Sequence, residues 1–253
     1  MNLKEINEKI DLMKGWFADI DKFIFDFLLD LQSKEHYVGH LGEIGVYYGK
    51  CLCKLAQYIN ENECLFGIDK YFTQENQKTS ILNGIKRVSN MSLKQLHCLE
   101  ADSNNIIVGN KIDDIMLQNQ FRFIHVDGSH AGYNVYHDLE LADNWLNKNG
   151  ILVMDDWNYM IYPDVQKAFF RYQLLHPKSF EMFVLTDKKA YICRPSMHAY
   201  YLYKAHELKD FLKEYNFNET ICETNNQLDT KTLFIFDNSK NELNDLDDAF
   251  YRI

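Results

Sequence analysis

Two apolar runs that end in aspartate, with a helical pattern between them, constrain the fold of this chain most. The runs, Phe121–Asp127 and Ile151–Asp155, have the length and composition of buried strands, and the first leads into the sequence DGSHAGYNV. Between them, apolar residues return at helical spacing: Val135, Leu139, Ala142 and Leu146. A strand, a helix and a strand within about 35 residues make a βαβ unit with parallel strands. Their carboxylates should therefore meet at the carboxyl edge of a sheet, where open α/β sheets bind ligands.

The same alternation extends from residue 37 to residue 194. The strand candidates are His40–Ile44, Leu65–Asp69, Leu96–Glu100, Phe121–Asp127 and Ile151–Asp155, and the helix-compatible stretches are 49–60, 75–88, 103–118 and 131–147. A further helix, Asp164–His176, leads to a terminal hairpin formed by Phe180–Leu185 and Ala190–Cys193. This order predicts an α/β domain with a mostly parallel sheet and helices on both of its faces.

The two ends of the chain lie outside this pattern. We expect an N-terminal helical cap over residues 1–36, the central domain over 37–194 and a C-terminal extension over 195–253. Apolar residues of the segment 6–31 alternate in steps of four and three, which predicts one or two amphipathic helices with a break near Gly15. The same period suits a seam between subunits, so a homodimer through these helices is the alternative to packing on the chain's own domain. In the extension, Leu208–Tyr215 is a helix candidate, Thr232–Phe236 is a strand candidate and Asn241–Asp248 is acidic.

Composition narrows the class of partner and the compartment. The formal charge is −10, with 27 basic and 37 acidic residues and no long basic run, so a nucleic-acid partner is not expected. No apolar stretch approaches the roughly 20 residues of a membrane span, and the N-terminus lacks the pattern of a secretory signal. The six cysteines are scattered, which favours free thiols in a reducing cytoplasm. The expected partner is a small molecule.

Glycines and acids stand where the first three predicted strands end. The first strand runs into an E-x-G-x-x-x-G turn, and acids end the second and third strands: Glu43, Gly45 and Gly49 in the turn, Asp69 after the second strand, and Asp102 with Ser103 after the third. Glycines let a ligand approach the backbone, while an acid after the second strand can accept hydrogen bonds from ribose hydroxyls. Together these residues predict a nucleoside site. The turn is not G-x-G-x-x-G, so it lacks the spacing of a dinucleotide cradle.

With these motifs, residues 37–194 resemble the class I S-adenosylmethionine-dependent methyltransferases. The nearest resemblance is to small-molecule O-methyltransferases with a D-G-x-H motif after the fourth strand, related to the macrocin and aminocoumarin sugar O-methyltransferases, which share paired aspartates after the fifth. The resemblance implies a Rossmann-like sheet that is mostly parallel and seven-stranded, with a terminal antiparallel hairpin, an N-terminal helical cap and a small C-terminal addition.

The resemblance also implies a cofactor and a metal. S-adenosylmethionine would be held by Glu43, Gly45, Tyr47, Gly49, Asp69, Asp102, Ser103 and Asp127. Magnesium, or another divalent cation, would be held by Asp127, Asp155 and Asp156. Three carboxylates with substrate oxygens and water would complete the oxygen shell that Mg²⁺ prefers, and a metal-bound hydroxyl loses its proton more easily. His130, three residues after Asp127, is the candidate general base, so the predicted catalytic residues are His130 and Asp127.

These observations predict a cytoplasmic O-methyltransferase that moves a methyl group to an oxygen of a small polar acceptor. The resemblance suggests a sugar, a nucleotide-activated sugar or another oxygen acid, in surface polysaccharide or natural-product biosynthesis. One alternative is a nicotinamide-dependent enzyme on the same kind of sheet, against which the missing G-x-G-x-x-G counts. Another is a non-catalytic methyltransferase-like scaffold that pairs with a partner through the segment 6–31.

Overall fold

The computed structural model describes residues 2–72, 75–217, 220–227 and 230–237, and a nine-stranded sheet lies at its centre. Numbered along the chain, the strands of this sheet are β1 His40–Ile44, β2 Leu65–Asp69, β3 Leu96–Glu100, β6 Phe121–Val126, β7 Leu146–Met154, β8 Glu181–Leu185, β9 Ala190–Cys193, β10 Thr220–Gln227 and β11 Thr230–Asp237. The short strands β4 Lys111–Ile112 and β5 Ile115–Met116 form a separate two-stranded ribbon. Across the large sheet the order is β3-β2-β1-β6-β7-β9-β8-β11-β10.

The first seven strands of that order are the seven predicted from the sequence. β3, β2, β1, β6 and β7 are parallel, whereas β9 runs antiparallel to both β7 and β8. The predicted Rossmann-like sheet with its terminal hairpin is thus confirmed. The C-terminal extension lengthens it, because β11 pairs parallel with β8 and antiparallel with β10.

The described residues contain eight α-helices on the two faces of the sheet. They are α1 Leu3–Asp11, α2 Asp19–Lys34, α3 Lys50–Ala56, α4 Glu75–Val88, α5 Gly132–Trp145, α6 Asp164–Leu175, α7 Pro195–Ala205 and α8 Leu208–Glu214. The predicted break of the N-terminal segment is confirmed between α1 and α2. Helix α7 was not predicted. It carries proline at its first position, where an N–H has no partner within the helix, so the missing N–H of proline costs no hydrogen bond.

The helix predicted over 103–118 is wrong. This stretch holds a short 3₁₀ turn, Ser103–Asn105, followed by the β4–β5 ribbon. The Asp102 side chain accepts the Asn104 N–H at 3.1 Å and thereby starts the turn, and Asp113 and Asp114 both adopt positive φ between the two short strands. Aspartate and asparagine bond their own backbone and tolerate the left-handed region, so the local chemistry overrides the apolar spacing.

The two faces of the sheet belong to two apolar clusters. In β7, Ile151 and Val153 pack into the cluster with α1, α2, α3 and α8, while Leu152 and Met154 pack into the cluster with α5 and α6. This alternation follows from the two-residue period of a strand. The predicted division of the chain at residues 36 and 194 stays a prediction, although residues from all three segments share the first cluster. Among the described residues, no helix is long and apolar enough to cross a bilayer.

Candidate active site

A cleft of about 1080 Å³ opens at the carboxyl ends of the parallel strands. Its walls come from the residues that follow β1, β2, β3, β6 and β7, and from the segment 14–19 between α1 and the start of α2. The cleft lies where the strand order turns from β1 toward β2 on one side and β6 on the other. That reversal draws the strand-end loops apart, which is where open α/β sheets bind ligands.

The glycine turn after β1 forms one wall, and its first glycine has no substitute. Gly45 has a φ of 86°, and a Cβ there would lie 1.9 Å from the carbonyl oxygen of Asp127. Gly49 has a φ of 84° and stands at the start of α3, where a Cβ would lie 2.5 Å from Ile81 Cγ1. Gly45 lines the cleft, while Gly49 does not and instead lets α3 pack against α4.

Asp69, at the end of β2, is fixed by backbone donors. Its Oδ2 accepts the Tyr47 N–H and its Oδ1 accepts the Tyr71 N–H, both at 2.8 Å. Tyr47 has a φ of 50°, and its ring stacks on that of Trp16 at 5.8 Å. The carboxylate therefore holds the glycine turn and the β2 loop together at the rim of the cleft.

The far end of the cleft contains Asp102 and Ser103. Hydrogen bonds from the Asn104 side chain and backbone lower the pKa of Asp102 below its ordinary value. Behind Ser103 lies Asp138 of α5, a fully buried acid that the sequence analysis did not single out. Burial raises the pKa of Asp138 to about 7, and a hydrogen bond with Ser103 offsets part of that rise.

Asp127 stands at the middle of the cleft. Its backbone N–H donates to the Ile44 carbonyl at 2.8 Å, so the end of β6 is fixed beside the end of β1. Burial raises the pKa of Asp127 well above its ordinary range, and the neighbouring charge of Asp155 adds to this. The site thus gathers acids whose ionisation is mutually unfavourable unless a cation or a proton accompanies them.

A buried lysine supplies such a cation. The Nζ of Lys189 binds Asp155 Oδ2 and lies 3.0 Å from His125 Nε2, and His125 Nδ1 lies 2.9 Å from Glu43 Oε1. The contacts assign the histidine hydrogen to Nδ1, donated to Glu43, while Nε2 accepts from the ammonium. Although burial alone would raise the pKa of Asp155, the Lys189 ammonium holds it below its ordinary range.

The sequence analysis missed Lys189 and His125 as site residues. His125 lies inside the fully buried strand β6, and Lys189 lies in the turn before β9. Antiparallel pairing places Met154 opposite Ala190, and that register sets Asp155 opposite Lys189. No local pattern in the sequence contains this information.

His130 is held by two contacts on the side of the cleft formed by residues 156–162. Its Nε2 lies 2.7 Å from Asp156 Oδ2, and its ring stacks on Tyr162 with 3.8 Å between centroids and 5° between planes. The same nitrogen lies 4.0 Å from Asp127 Oδ1. The two predicted catalytic residues are therefore neighbours, and both line the cleft.

The predicted metal ligands do not form one group. Asp127 and Asp155 lie with His125, whereas Asp127 and Asp156 lie with His130, in two different sets of potential ligand atoms. In the first set Asp155 already binds the Lys189 ammonium, which would repel a divalent ion at the same oxygen. The second set contains a histidine, whereas Mg²⁺ prefers oxygen ligands throughout. The donor set therefore does not fit magnesium held by all three aspartates.

Every predicted site residue except Gly49 lines the cleft. The residues of this set are Glu43, Gly45, Tyr47, Asp69, Asp102, Ser103, Asp127, His130, Asp155 and Asp156. Trp157 is buried and packs edge-on against Phe169 and Phe170, so it supports the α6 side of the fold and does not wall the cleft.

Comparison with known proteins gives one family match. Residues 43–157 match a family model described as a methyltransferase domain. A search of curated proteins gives no match.

Solved structures share the fold at low sequence identity. CalS11, a TDP-rhamnose 3'-O-methyltransferase of calicheamicin biosynthesis, is 15% identical over 68% of this chain and 79% of that one, with a TM-score of 0.52. The O-methyltransferase NovP is 14% identical over 76% of this chain and 88% of that one, at 0.53. A Corynebacterium glutamicum protein is 9% identical over the same shares, 76% and 88%, at 0.54.

Proposed function

We propose that the protein, whose residues 43–157 match the methyltransferase-domain family model, is an S-adenosylmethionine-dependent O-methyltransferase for a small polar acceptor. One observation carries the proposal: a single cleft joins the strand-end acids suited to a nucleoside with the Asp127–His130–Asp156 group suited to proton transfer. A cofactor and an acceptor bound there would meet at Asp127.

The cofactor half rests on the acids after β2 and β3. Asp69 has both oxygens engaged by backbone N–H groups, which orients its remaining lone pairs, and a ribose needs such acceptors for its hydroxyls. Asp102 is kept ionised by Asn104, as an acceptor for an exocyclic amine requires. Gly45 allows the chain to approach the ligand without a Cβ between them.

The transfer half rests on His130. When bound, S-adenosylmethionine supplies a sulfonium methyl group that an oxygen nucleophile can displace. His130 Nε2 lies 2.7 Å from Asp156 Oδ2, and the His130 imidazole is the proposed acceptor of the acceptor's hydroxyl proton. Asp156 stabilises the imidazolium that forms, and the Tyr162 ring fixes its plane.

The sequence predicts assistance by a divalent ion, whereas the transfer proposed here does not depend on one. A cation is already present, because the Lys189 ammonium forms an ion pair with the Asp155 carboxylate at the floor of the cleft. We therefore expect turnover to continue after chelation of divalent ions.

The proposed acceptor class is supported by the similar structures and by the polar walls of the cleft. CalS11 is named as acting on TDP-rhamnose, and the acids around Asp127 suit an acceptor with several hydroxyls. A sugar or a nucleotide-activated sugar, in polysaccharide or natural-product biosynthesis, is the proposed class. A cytoplasmic location is proposed with it. Pairing of two chains through the N-terminal helices stays a prediction, and within one chain Phe25 and Leu28 of α2 are already fully buried in the core.

Calorimetric titration of S-adenosylhomocysteine into cofactor-stripped protein tests the proposal, with and without EDTA. We expect one saturable site in both conditions, weakened at least tenfold by Asp69→Ala and unchanged by Asp210→Ala, an exposed acid on α8. Absence of binding in both conditions would discard the methyltransferase proposal, and a matching titration with NADH would then examine the nicotinamide alternative.

A scaffold role predicts a different result. A non-catalytic scaffold would tolerate Asp127→Asn in the producing cell, whereas an enzyme would lose its product. Complementation of a deletion strain with this variant distinguishes the two.

A further inference from the structure

The floor of the cleft contains one buried ammonium among several carboxylates. Lys189 is 1% exposed, and its Nζ binds Asp155 and contacts His125. Charges on Asp127 and Asp21 also act on it. These acids come from β6, β7 and α2, so the lysine is the point where three separate parts of the chain meet.

Hydrogen bonds among the residues packed around Lys189 hold this arrangement in place. Asp21 Oδ1 accepts the Tyr191 hydroxyl at 2.7 Å and the Thr186 hydroxyl at 3.0 Å, and Thr186 Oγ1 accepts the Lys189 N–H at 2.9 Å. Asp21 Oδ2 and Glu43 Oε2 are buried without a hydrogen-bond partner in the described residues. Burial of such acidic oxygens is costly unless a positive charge or a proton accompanies them.

We propose that Lys189 is the fixed counter-cation of the cleft and stands in for a divalent ion at Asp155. It acts as a positioning residue: it neutralises the floor of the cleft and aligns Asp155 and His125, so that the site is formed before any ligand binds. Only its effect on turnover rests on the proposed function. Its effects on stability and on metal binding follow from the buried charges alone.

Removal of the ammonium should therefore create a cation site. In Lys189→Ala, the ligand atoms of His125, Asp127 and Asp155, which already lie within 4.8 Å of one another, lose their competing cation and gain the space of its side chain. We expect the wild-type protein to show no stoichiometric Mn²⁺ bound at Asp155 and a melting temperature insensitive to EDTA. We expect Lys189→Ala to melt several degrees lower, to bind one Mn²⁺ and to recover stability in Mn²⁺ or Mg²⁺.

Electron paramagnetic resonance of Mn²⁺ and thermal unfolding measure both effects on the full chain. The control is Lys178→Ala, an exposed lysine remote from the cleft, which should match the wild-type protein in both. In the double variant Lys189→Ala/Asp155→Asn the new Mn²⁺ binding should disappear. If Lys189→Ala does not fold, Lys189→Met/Asp155→Asn removes both charges at nearly constant volume and should fold better than Lys189→Met alone.

Two results would overturn the inference. One is a wild-type Mn²⁺ site that Asp155→Asn abolishes, since the ion would then coexist with the lysine. The other is a Lys189→Ala variant with unchanged stability and no gain from divalent ions. Binding of S-adenosylhomocysteine by the wild-type protein is measured in parallel. If no S-adenosylhomocysteine binds, the proposed function is contradicted, whereas the stability and Mn²⁺ results for Lys189 can still be interpreted.

Discussion

At the scale of single residues, the candidate chemistry depends on how His130 is held. Its Nε2 lies 2.7 Å from Asp156 Oδ2 and its ring lies flat on Tyr162, so the plane of the imidazole is fixed. A base restrained in this way accepts a proton without first reorienting, which is how positioned histidines accelerate proton transfer. Asp127 Oδ1 lies 4.0 Å from the same nitrogen, which places the two predicted catalytic side chains side by side.

We expect His130→Gln to reduce kcat by about 10²- to 10⁴-fold, the usual contribution of a general base. Because His130 touches neither Asp69 nor Asp102, S-adenosylhomocysteine affinity should stay within a few-fold of wild type. Steady-state kinetics with an identified acceptor, together with calorimetry, measures the two quantities. His206→Gln, a change of an exposed histidine, is the matched control. Unchanged kcat in His130→Gln would assign the proton transfer to another group.

At the scale of elements, the turn from β1 to α3 shows why one glycine of the motif is irreplaceable. A side chain at Gly45 meets both obstacles at once: the left-handed backbone, with a φ of 86°, and the Asp127 carbonyl 1.9 Å from the Cβ position. Gly109 has almost the same φ, 85°, but nothing lies within 4 Å of its Cβ position. Comparison of Gly45 with Gly109 therefore separates the cost of backbone strain from the cost of a steric collision.

Gly109→Ala should lower the free energy of unfolding by about 1–2 kcal/mol, the cost of a left-handed residue with a Cβ. Gly45→Ala should cost several kcal/mol more, because the collision displaces the end of β6 from the end of β1. Urea unfolding followed by circular dichroism gives both values. Similar losses for the two variants would mean that the turn relaxes around the added methyl group.

The elements also mark where sequence patterns succeed and fail. Four of the five parallel strands match their predicted bounds to within one residue, since short apolar runs bounded by glycine or acid leave little choice of element. The fifth, β7, begins at Leu146, five residues before the predicted Ile151. The apolar spacing of the stretch 103–118 predicts a helix, but its aspartates, asparagines and glycine favour turns, and the turns form. Helix α7 was missed because Pro195 was read as the end of the domain instead of the first residue of a helix.

At the scale of the whole molecule, stability should depend on pH through Asp138. Burial raises the pKa of Asp138 from 3.8 to about 7, so between these values the folded protein holds a proton that the unfolded chain has released. The free energy of unfolding therefore falls as pH rises through this window. Above the window the stabilising contribution of protonated Asp138 is lost completely. Each pKa unit corresponds to about 1.4 kcal/mol, so the effect is on the order of 4 kcal/mol.

Asp138→Asn should remove this loss. We expect the variant to exceed wild-type stability by a few kcal/mol at about pH 8 and to match it near pH 4, where both side chains are neutral. Denaturant unfolding across the pH range measures the difference. Asp210→Asn, at an exposed acid, should follow the wild-type curve throughout. A constant offset between Asp138→Asn and wild type at all pH values would contradict the assignment.

The positions of the strands, their parallel arrangement and the edge of the sheet at which the acids emerge could all be predicted from the sequence alone. These features are local: a run of apolar residues and the acid that ends it lie within a few positions of each other. The sequence also identified the turn at Gly45 and the acid at Asp69, which lie on neighbouring strand ends for the same reason.

Only the tertiary structure decided which partner each acid has. Asp155 and Lys189 are 34 residues apart, and the antiparallel register of β7 with β9 joins them. That pairing turns a predicted metal ligand into half of a buried ion pair. Likewise, the register of β1 with β6 sets Glu43 opposite His125. The charge balance of a site depends on which strands are neighbours and in what register, and neither is encoded within any one segment of the chain.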